Sequence, residues 1–329
     1  MLVLGIETSC DETAIGIVDE NLRVVVNLSK THLEHSVFGG VVPEIASRMH
    51  TKLILPMTQE ALKRANLNME DIYGIAVTYG PGLVGSLLVG LAYGKSLAYL
   101  FNKPFIGVNH LEAHMFSIFL NASLPDEPFI FLIVSGGHTE LVIMEKPGFY
   151  KFLGGTLDDA AGEALDKFAK MVGLPYPGGP QVDRLAKEGD REFYHFPRAK
   201  VEGLNFSFSG LKTAALYLVK EKGETFVREN LANLCASYQE AVVDMLLDKV
   251  KQAIKKTGIK NLGVVGGVSM NSRLRQKFRE EFRGVNIYFP EPQFTVDNGA
   301  MIAGTGVFYF KQGYRHPFDL PAKPDLIFS

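Results

Sequence analysis

The feature that most constrains the fold is an order of predicted elements that occurs twice along the chain. In the first half, strands are predicted at Leu2–Glu7, Thr13–Val18 and Arg23–Leu28, and a helix, strand, helix, strand and helix follow them. The second half begins the same βββαβαβα order at Pro128–Val134. A repeat of this length indicates duplication of one structural unit, so the sequence predicts an α/β protein with two related lobes.

The predicted lobes occupy residues 1–125 and 126–329. The last predicted helix, 297–311, is a candidate to pack back on the first lobe. Residues 173–209 interrupt the second repeat and are rich in proline, glycine and charged residues. Long irregular segments in compact domains are often functional, so we expect an insertion that contributes function rather than core.

Composition favours a cytoplasmic protein and leaves the type of partner open. The chain has 329 residues, of which 47% are hydrophobic and 21% are charged, and these are ordinary globular values. Two cysteines cannot form a disulfide framework, which indicates a reducing compartment. We expect neither a signal peptide nor a membrane-spanning helix, because no basic segment precedes the first strand and no apolar run reaches spanning length. A formal net charge of −2 neither indicates nor excludes nucleic-acid binding.

The segment Asn109–His114 is the first candidate functional site. If a helix begins here, His110 and His114 are four residues apart and share one face, where their imidazoles can supply two metal ligands. Glu112 is about 200° around the helix from His110 and therefore points away. That placement differs from the metallopeptidase HExxH motif, in which the glutamate is the general base beside the first histidine. The spacing alone leaves a metal site and two ordinary histidines equally open.

Each half opens with a hairpin turn of small or polar residues, at Thr8–Glu12 and at Ser135–His138. Two such βββαβαβα halves resemble the actin–Hsp70–sugar kinase superfamily (ASKHA fold), in which the two turns hold the phosphates of a nucleotide between two lobes. Small residues suit these turns because backbone N–H groups must approach phosphate oxygens closely. The strand–Gly266-Gly267–helix unit is similar to the adenosine motif of this superfamily.

Longer motifs resemble one family within that superfamily, the bacterial TsaD family, formerly labelled Gcp or YgjD. The motifs are GIETSCDET at 5–13, HLEAH at 110–114, SGGHT at 135–139, DDAAGEALDK at 158–167, YPGGP at 176–180, FSFSGLK at 206–212 and DNGAM at 297–301. The resemblance covers essentially the whole chain in order, and the Phe38–His50 segment is of the bacterial type.

The resemblance implies a tRNA-modifying acyltransferase. Members of the family are expected to transfer the threonylcarbamoyl group of threonylcarbamoyl-AMP to N6 of the adenosine 3′ of the anticodon, in tRNAs that read codons beginning with A, and so make t6A. The expected partners are tRNA, a TsaB-like paralogue, a TsaE-like ATPase and, as a further option, a second copy of this chain. Helices Pro43–Ala65 and Leu83–Leu100 are candidates to pair with matching helices of the paralogue.

The resemblance also implies a metal site. It carries over onto His110, His114 and Asp297, with one divalent ion per chain, expected to be Fe2+ with Zn2+ as the second choice. Two histidines and one carboxylate leave coordination positions open for substrate oxygens. The alternative role for Asp297 is an N-cap of the last helix.

An adenylate pocket is implied in the second lobe. The residues that the resemblance carries over are Ile133, Val134, Ser135, Gly136, Gly137, Asp166, Gly179, Asp183 and Asn271. Asp166 and Asp183 suit ribose hydroxyls or adenine edge groups as acceptors. Their alternative is an ordinary exposed carboxylate on a helix.

Asp11 and Glu12 lie in the first hairpin turn, where two carboxylates would repel a nucleotide phosphate unless a cation or a proton intervenes. We therefore interpret this turn as serving acyl transfer, with one of the two acids accepting the N6 proton or orienting the threonyl group. The alternative is a polar turn without a chemical role. Cys10 has no identifiable activating base and is interpreted as a small buried residue.

The tRNA-binding surface and three other functions are further hypotheses. The candidate tRNA contacts are Arg198, Lys200, Lys212, Arg273, Arg275 and Lys277. Such charges are also typical of an ordinary solvated surface.

A small-molecule kinase of the same superfamily would turn over ATP and need no two-histidine site. A metallopeptidase would need a base next to the first histidine, and a non-enzymatic actin-like scaffold would lack the His110, His114 and Asp297 set.

Overall fold

The computed structural model describes residues 1–32, 41–123, 125 and 128–327. Its contacts divide the chain into two compact units. The first unit comprises Met1–Pro125 together with Pro290–Ser329, and the second comprises Asp126–Phe289. The part of the predicted Phe38–His50 segment that precedes Val41 lies outside the described residues.

Each unit contains one five-stranded mixed sheet. The strands are β1 (Leu2–Glu7), β2 (Glu12–Asp19), β3 (Val24–Thr31), β4 (Gly74–Gly80), β5 (Phe105–Asn109), β6 (Phe129–Val134), β7 (Thr139–Lys146), β8 (Phe149–Gly155), β9 (Asn261–Val265) and β10 (Asn286–Tyr288). The sheet orders are β3-β2-β1-β4-β5 and β8-β7-β6-β9-β10. In both sheets the first three strands pair as antiparallel hairpins, and the last two add in parallel.

The same topology therefore occurs twice, which confirms the predicted duplicated α/β fold. The helices are α1 (Pro43–Ala65), α2 (Val84–Leu100), α3 (His110–Phe116), α4 (Ala161–Met171), α5 (Gly178–Ala186), α6 (Ser209–Glu229), α7 (Leu231–Thr257), α8 (Ser272–Glu281) and α9 (Gly299–Lys311). Within the described residues, none of these helices combines the length and the apolar character that a membrane span requires.

The first sheet is covered on both faces, because successive residues of β1 alternate between two apolar clusters. Leu4 and Ile6 belong to the cluster formed with α1 and α2, whereas Val3 belongs to the cluster formed with α9. A Cβ on Gly5 would lie 2.3 Å from the carbonyl oxygen of Gly299, so glycine is needed where α9 crosses the sheet. This packing explains why Pro290–Ser329 belongs with the first unit although it follows the second in sequence.

Residues 173–209 contribute to the core of the second unit, and the expectation that they would not is wrong. Helix α5 buries Val182 and Ala186, and the segment after it buries Phe196, Phe206 and Phe208 in the main cluster of that unit. The abundant proline and glycine concealed a short amphipathic helix, because its apolar positions are few and widely spaced.

Candidate functional site

The histidine segment forms a short, completely buried helix, as its spacing predicts. Strand β5 ends at Asn109, whose side-chain oxygen accepts hydrogen bonds from the N–H groups of Leu111 at 2.9 Å and Glu112 at 3.3 Å. This N-cap satisfies the first donors of α3 and fixes where the helix begins. His110 and His114 consequently occupy successive turns, and their rings lie edge to face with centroids 4.7 Å apart.

Asp297 meets both histidines. Its Oδ1 lies 3.0 Å from Nε2 of His114 and 3.5 Å from Nε2 of His110. One ligand atom from each of the three residues falls within 4.8 Å of the others. The N-cap of α9 is Asn298, which accepts from the N–H of Met301 at 2.9 Å, so the alternative role considered for Asp297 belongs to its neighbour.

Glu7 orients His110 and was missed by the sequence reasoning. Its Oε2 accepts from Nδ1 of His110 at 3.0 Å and from the hydroxyl of Thr78 at 2.6 Å, and its Oε1 accepts from the N–H of Ser9 at 2.5 Å. Burial opposes the charge on Glu7 and the charge on His110, but the attraction between the opposite charges outweighs the effect of burial. The pKa of Glu7 is held below its ordinary value by His110, and Asp297 and Glu7 raise the pKa of His110 to about 9.

The chemistry of these groups fits a divalent transition metal. Two imidazole nitrogens and one carboxylate are the donor set typical of iron sites that keep coordination positions open for substrate. Metal-binding histidines usually donate their second ring N–H to a carboxylate, and Glu7 accepts that bond from His110. Two sequence signals exist for Glu7, since it is a charged residue that ends an otherwise apolar strand and it lies within the GIETSCDET motif.

We expect Glu7→Gln to weaken metal binding about 10- to 100-fold, because the amide no longer enforces the tautomer of His110 that leaves Nε2 free. Equilibrium dialysis against Fe2+ and Zn2+ would measure this change. The matched control is Glu291→Gln, an exposed residue of the same unit. Equal affinity of Glu7→Gln and wild type would contradict the orienting role.

Glu112 lies outside this metal-ligand set, as its position on the helix predicts. Its Oε1 accepts from the hydroxyl of Tyr309 on α9 at 2.5 Å. The carboxylate is thereby engaged in packing α3 against α9. This arrangement does not provide the general base that a metallopeptidase requires beside the metal.

Asp11 lies in the first hairpin turn of the same unit, and Glu12 is the next residue. Asp11 is 7% exposed, and Glu12 begins β2. Burial, reinforced by the charges of Asp297 and Asp11, raises the pKa of Glu12 well above its ordinary value. Burial and the same carboxylates also raise the pKa of Cys10, so its thiol stays protonated and is a poor nucleophile. The turn therefore concentrates negative charge close to the candidate metal ligands.

The hairpin turn of the second unit joins β6 to β7. Ile133 and Val134 end β6 and are fully buried, whereas Gly136 and Gly137 are exposed. A Cβ on either glycine would meet no heavy atom of the described residues within 4 Å, and neither glycine has a positive φ. The fold of the unit therefore does not itself require glycine here.

Asp166 and Asp183, two further predicted pocket residues, each accept hydrogen bonds at the beginning of a helix. Asp166 Oδ1 accepts from the N–H groups of Gly178 and Gly179, each at 2.8 Å, and so holds the first turn of α5. Asp183 Oδ1 accepts from the N–H of Ser272 at 3.0 Å and from its hydroxyl at 2.8 Å, where α8 begins. Among the described residues, no hydrogen bond reaches Oδ2 of either aspartate, so each keeps an acceptor for a ligand.

Asn271 has a structural role of its own. Its Oδ1 accepts from the N–H of Leu274 at 3.0 Å and caps α8, and its Nδ2 donates to Oε1 of Gln239 at 2.7 Å. It stands next to Ser272, the partner of Asp183, so both predicted ligand residues meet at one helix end. The side chain of Ser135 is likewise engaged, because its hydroxyl oxygen accepts from the N–H of His138 at 3.0 Å.

Glu140, directly after the SGGHT motif, introduces a pH dependence of stability. Burial raises its pKa from the ordinary 4.5 to about 7. Between these two values the unfolded chain releases the proton and the folded protein keeps it, so the free energy of unfolding falls as the pH rises. We expect Glu140→Gln to remove this fall and to raise the free energy of unfolding at pH 8 by up to about 3 kcal/mol.

Urea unfolding at pH 5 and pH 8 would test this expectation. Glu145→Gln is the matched control, because Glu145 lies on the same strand and is exposed. If the free energy of unfolding of Glu140→Gln fell between pH 5 and pH 8 by as much as that of wild type, the expectation would be contradicted.

Most of the predicted basic tRNA contacts are engaged within the second unit. Arg198 pairs with Asp244 at 2.8 Å, Lys212 with Asp159 at 2.7 Å and Arg273 with Glu240 at 2.6 Å. Lys277 bridges Glu240 and Asp244, and Arg275 lies over the ring of Phe289, 4.7 Å from its centroid. Lys200 is exposed. Acidic partners therefore compensate the charges of four of these residues, Arg198, Lys212, Arg273 and Lys277.

Comparisons with known proteins identify relatives that match the chain along nearly its full length. The sequence model of the TsaD family, described as tRNA N6-adenosine threonylcarbamoyltransferase, matches residues 23–304. A protein of that name from Dictyoglomus turgidum is 47% identical over 331 residues, which cover 99% of each chain. Another, from Syntrophus aciditrophicus, is 51% identical over 325 residues, which cover 98% of this chain and 96% of the relative.

Two solved structures share the fold at low identity. Component A of (R)-2-hydroxyglutaryl-CoA dehydratase from Acidaminococcus fermentans has a TM-score of 0.56 at 15% identity, over 95% of this chain and 98% of that chain. HypF from T. kodakarensis has a TM-score of 0.63 at 15% identity, over 94% of this chain and 48% of that chain. These likenesses support the fold alone, whereas the full-length relatives identify the function. The chain belongs to the TsaD family of tRNA N6-adenosine threonylcarbamoyltransferases.

Proposed function

We propose that this chain carries out t6A synthesis with a divalent metal, Fe2+ in preference to Zn2+, held by His110, His114 and Asp297. The observation that carries the assignment of the metal site is the convergence of three ligand atoms within 4.8 Å, in a donor set that suits such an ion. When bound, the ion supplies Lewis acidity that polarises the carbamoyl or phosphate oxygens of the substrate. Glu7 supports the same site by orienting His110.

The transfer itself requires one bond to form and one to break. N6 of adenosine, in the nucleotide 3′ of the anticodon of tRNAs reading ANN codons, attacks the carbamoyl carbon of threonylcarbamoyl-AMP. The bond from that carbon to the phosphate oxygen breaks, AMP leaves with the electron pair, and N6 gives up a proton. Asp11 or Glu12 accepts that proton or orients the threonyl group, and their clustering with Asp297 supports a role that does not involve holding phosphate.

The adenylate is assigned to the second unit. Backbone N–H groups of the Ser135–Gly137 turn suit its phosphate, because the open space beside both glycines admits close approach. The Oδ2 atoms of Asp166 and Asp183 are available to ribose hydroxyls or to the adenine edge. Gly179 keeps the first turn of α5 close to Asp166.

The partners follow from the family and from the first unit. The substrate is tRNA, and we assign the outer surface of α1 and α2 to a TsaB-like paralogue, with a TsaE-like ATPase joining the assembly. Leu55 on α1 is 51% exposed and Leu88 on α2 is 54% exposed, which supports an apolar contact there. The alternative partner for the surface of α1 and α2 is a second copy of this chain. Such an assembly would work in the cytoplasm, where tRNA is modified.

Metal analysis of protein purified without oxygen tests the metal assignment. We expect about one iron per chain in wild type and none in His114→Ala. The control His195→Ala changes an exposed histidine and is expected to retain the metal. Equal metal content in all three proteins would contradict the assignment.

A further inference from the structure

Three buried polar side chains of the first unit take no part in the metal site. Thr13 and His50 are completely buried, and His32 is 2% exposed. The hydroxyl of Thr13 lies 2.9 Å from Nε2 of His32 and 2.8 Å from Nδ1 of His50. The second ring nitrogen of His50, Nε2, lies 3.0 Å from the carbonyl oxygen of Cys10. The network thus joins β2, the end of β3 and α1 to the first hairpin turn.

The hydrogen-bond chemistry gives this network one direction. The carbonyl of Cys10 can only accept, so Nε2 of His50 carries a proton. In a neutral imidazole Nδ1 is then an acceptor, and the hydroxyl of Thr13 must donate to it. The same hydroxyl oxygen can accept from Nε2–H of His32. The direction runs from His32 through Thr13 and His50 to the peptide that joins Cys10 to Asp11.

Neighbouring contacts show that the backbone of the turn is held at successive carbonyls. The N–H of Leu83 donates to the carbonyl of Ser9 at 2.8 Å, and the N–H of His32 donates to the carbonyl of Asp11 at 2.9 Å. His50 supplies the shorter bond to the carbonyl of Cys10, which lies between them, and the hydroxyl of Ser86 donates to the same oxygen at 3.4 Å. All three carbonyls therefore have a donor from outside the turn, and one of these donors is the end of the buried network.

We propose that His50, Thr13 and His32 are positioning residues that set the Cys10–Asp11 peptide and thereby direct the Asp11 and Glu12 carboxylates in acyl transfer. This inference rests on the proposed role of those two acids. Buried polar groups are costly unless they are hydrogen-bonded, so the bonds of this network favour one geometry. A displacement of about 1 Å at a reacting group can lower a rate on the order of 100-fold.

Thr13→Val tests the proposal, because valine keeps the shape of threonine and removes the hydroxyl that joins the two imidazoles. We expect kcat for transfer to fall on the order of 100-fold, while KM for threonylcarbamoyl-AMP and the metal content stay at wild-type values. Thr13→Ser restores the hydroxyl and is expected to recover most of kcat. The control is Thr305→Val, a fully buried threonine of the same unit whose hydroxyl donates to the carbonyl of Met301 within α9.

His50→Gln and His50→Leu provide a second test in case Thr13→Val does not fold. His50→Gln can still donate to the carbonyl of Cys10, whereas His50→Leu cannot, so we expect at least about 10-fold higher kcat in the glutamine variant. Equal kcat in this pair, or wild-type kcat in a folded Thr13→Val, would overturn the proposal. Asp11→Asn distinguishes the failure of the proposed role of the turn from the failure of the positioning role. If Asp11→Asn is fully active, the turn has no role in transfer. If Asp11→Asn is inactive and Thr13→Val is active, only the positioning role fails.

Discussion

His114→Ala is expected to abolish transfer of the threonylcarbamoyl group. The substitution removes the imidazole whose Nε2 lies 3.0 Å from Asp297 and leaves one histidine and one carboxylate, too few ligands for a stable site. Lewis acid stabilisation by a bound metal is worth several kcal/mol in a transition state, which corresponds to a loss of at least about 1,000-fold in rate. Nucleoside analysis of tRNA after a single turnover would measure the modified adenosine.

The control separates loss of metal from loss of fold. His195→Ala removes an exposed histidine of the second unit and should transfer at the wild-type rate. Thermal unfolding in the presence of chelator should give similar midpoints for wild type and His114→Ala. Full activity of a metal-free His114→Ala protein would contradict a catalytic metal at this position.

Asp11→Asn is expected to abolish transfer while adenylate binding persists. The amide preserves the size of the side chain and cannot accept a proton, and a positioned general base contributes about 100- to 10,000-fold. The substitution also removes one of the charges that raise the pKa of Glu12, so we expect no loss of folding stability. Single-turnover rates and calorimetric titration with a non-reactive threonylcarbamoyl-AMP analogue would measure the two effects separately.

An exposed aspartate of the same unit provides the comparison. Asp325→Asn should leave both transfer and binding unchanged. Normal turnover by Asp11→Asn would refute a chemical role for Asp11 and leave Glu12 as the remaining candidate. Parallel loss of binding and transfer would instead mean that Asp11 contributes to substrate affinity.

The local pattern of the sequence was sufficient to predict most of the elements. A continuous apolar run predicted β1, and a proline in the first turn predicted helix α1 with the bounds Pro43–Ala65 that the structure shows. The order of elements predicted two equivalent sheets because duplication leaves a repeating pattern. The packing of α9 on the first unit was only a candidate from the sequence, since its contact with Gly5 joins residues from opposite ends of the chain.

In the candidate site, too, local features could be predicted from the sequence, whereas contacts made by tertiary packing could not. The four-residue spacing of His110 and His114 is local, so the sequence alone predicted two histidines on one helix face, where they could serve as ligands. Asp297 entered only through the family resemblance, and Glu7 was not predicted at all, because both approach the histidines through tertiary packing. The charges of Arg273 and Lys277 were visible in the sequence, but their pairing with Glu240 was not.

Single-turnover transfer from threonylcarbamoyl-AMP to unmodified tRNA is the most direct test of a metal-dependent transferase. Wild type and His110→Ala would be compared with and without the TsaB-like and TsaE-like proteins. We expect t6A in tRNA treated with wild type and none in tRNA treated with His110→Ala. Equal product from both proteins would contradict the role of the metal site. Absence of product under every condition, with ATP consumed when a small hydroxylated substrate is added, would contradict the transferase itself and favour a kinase.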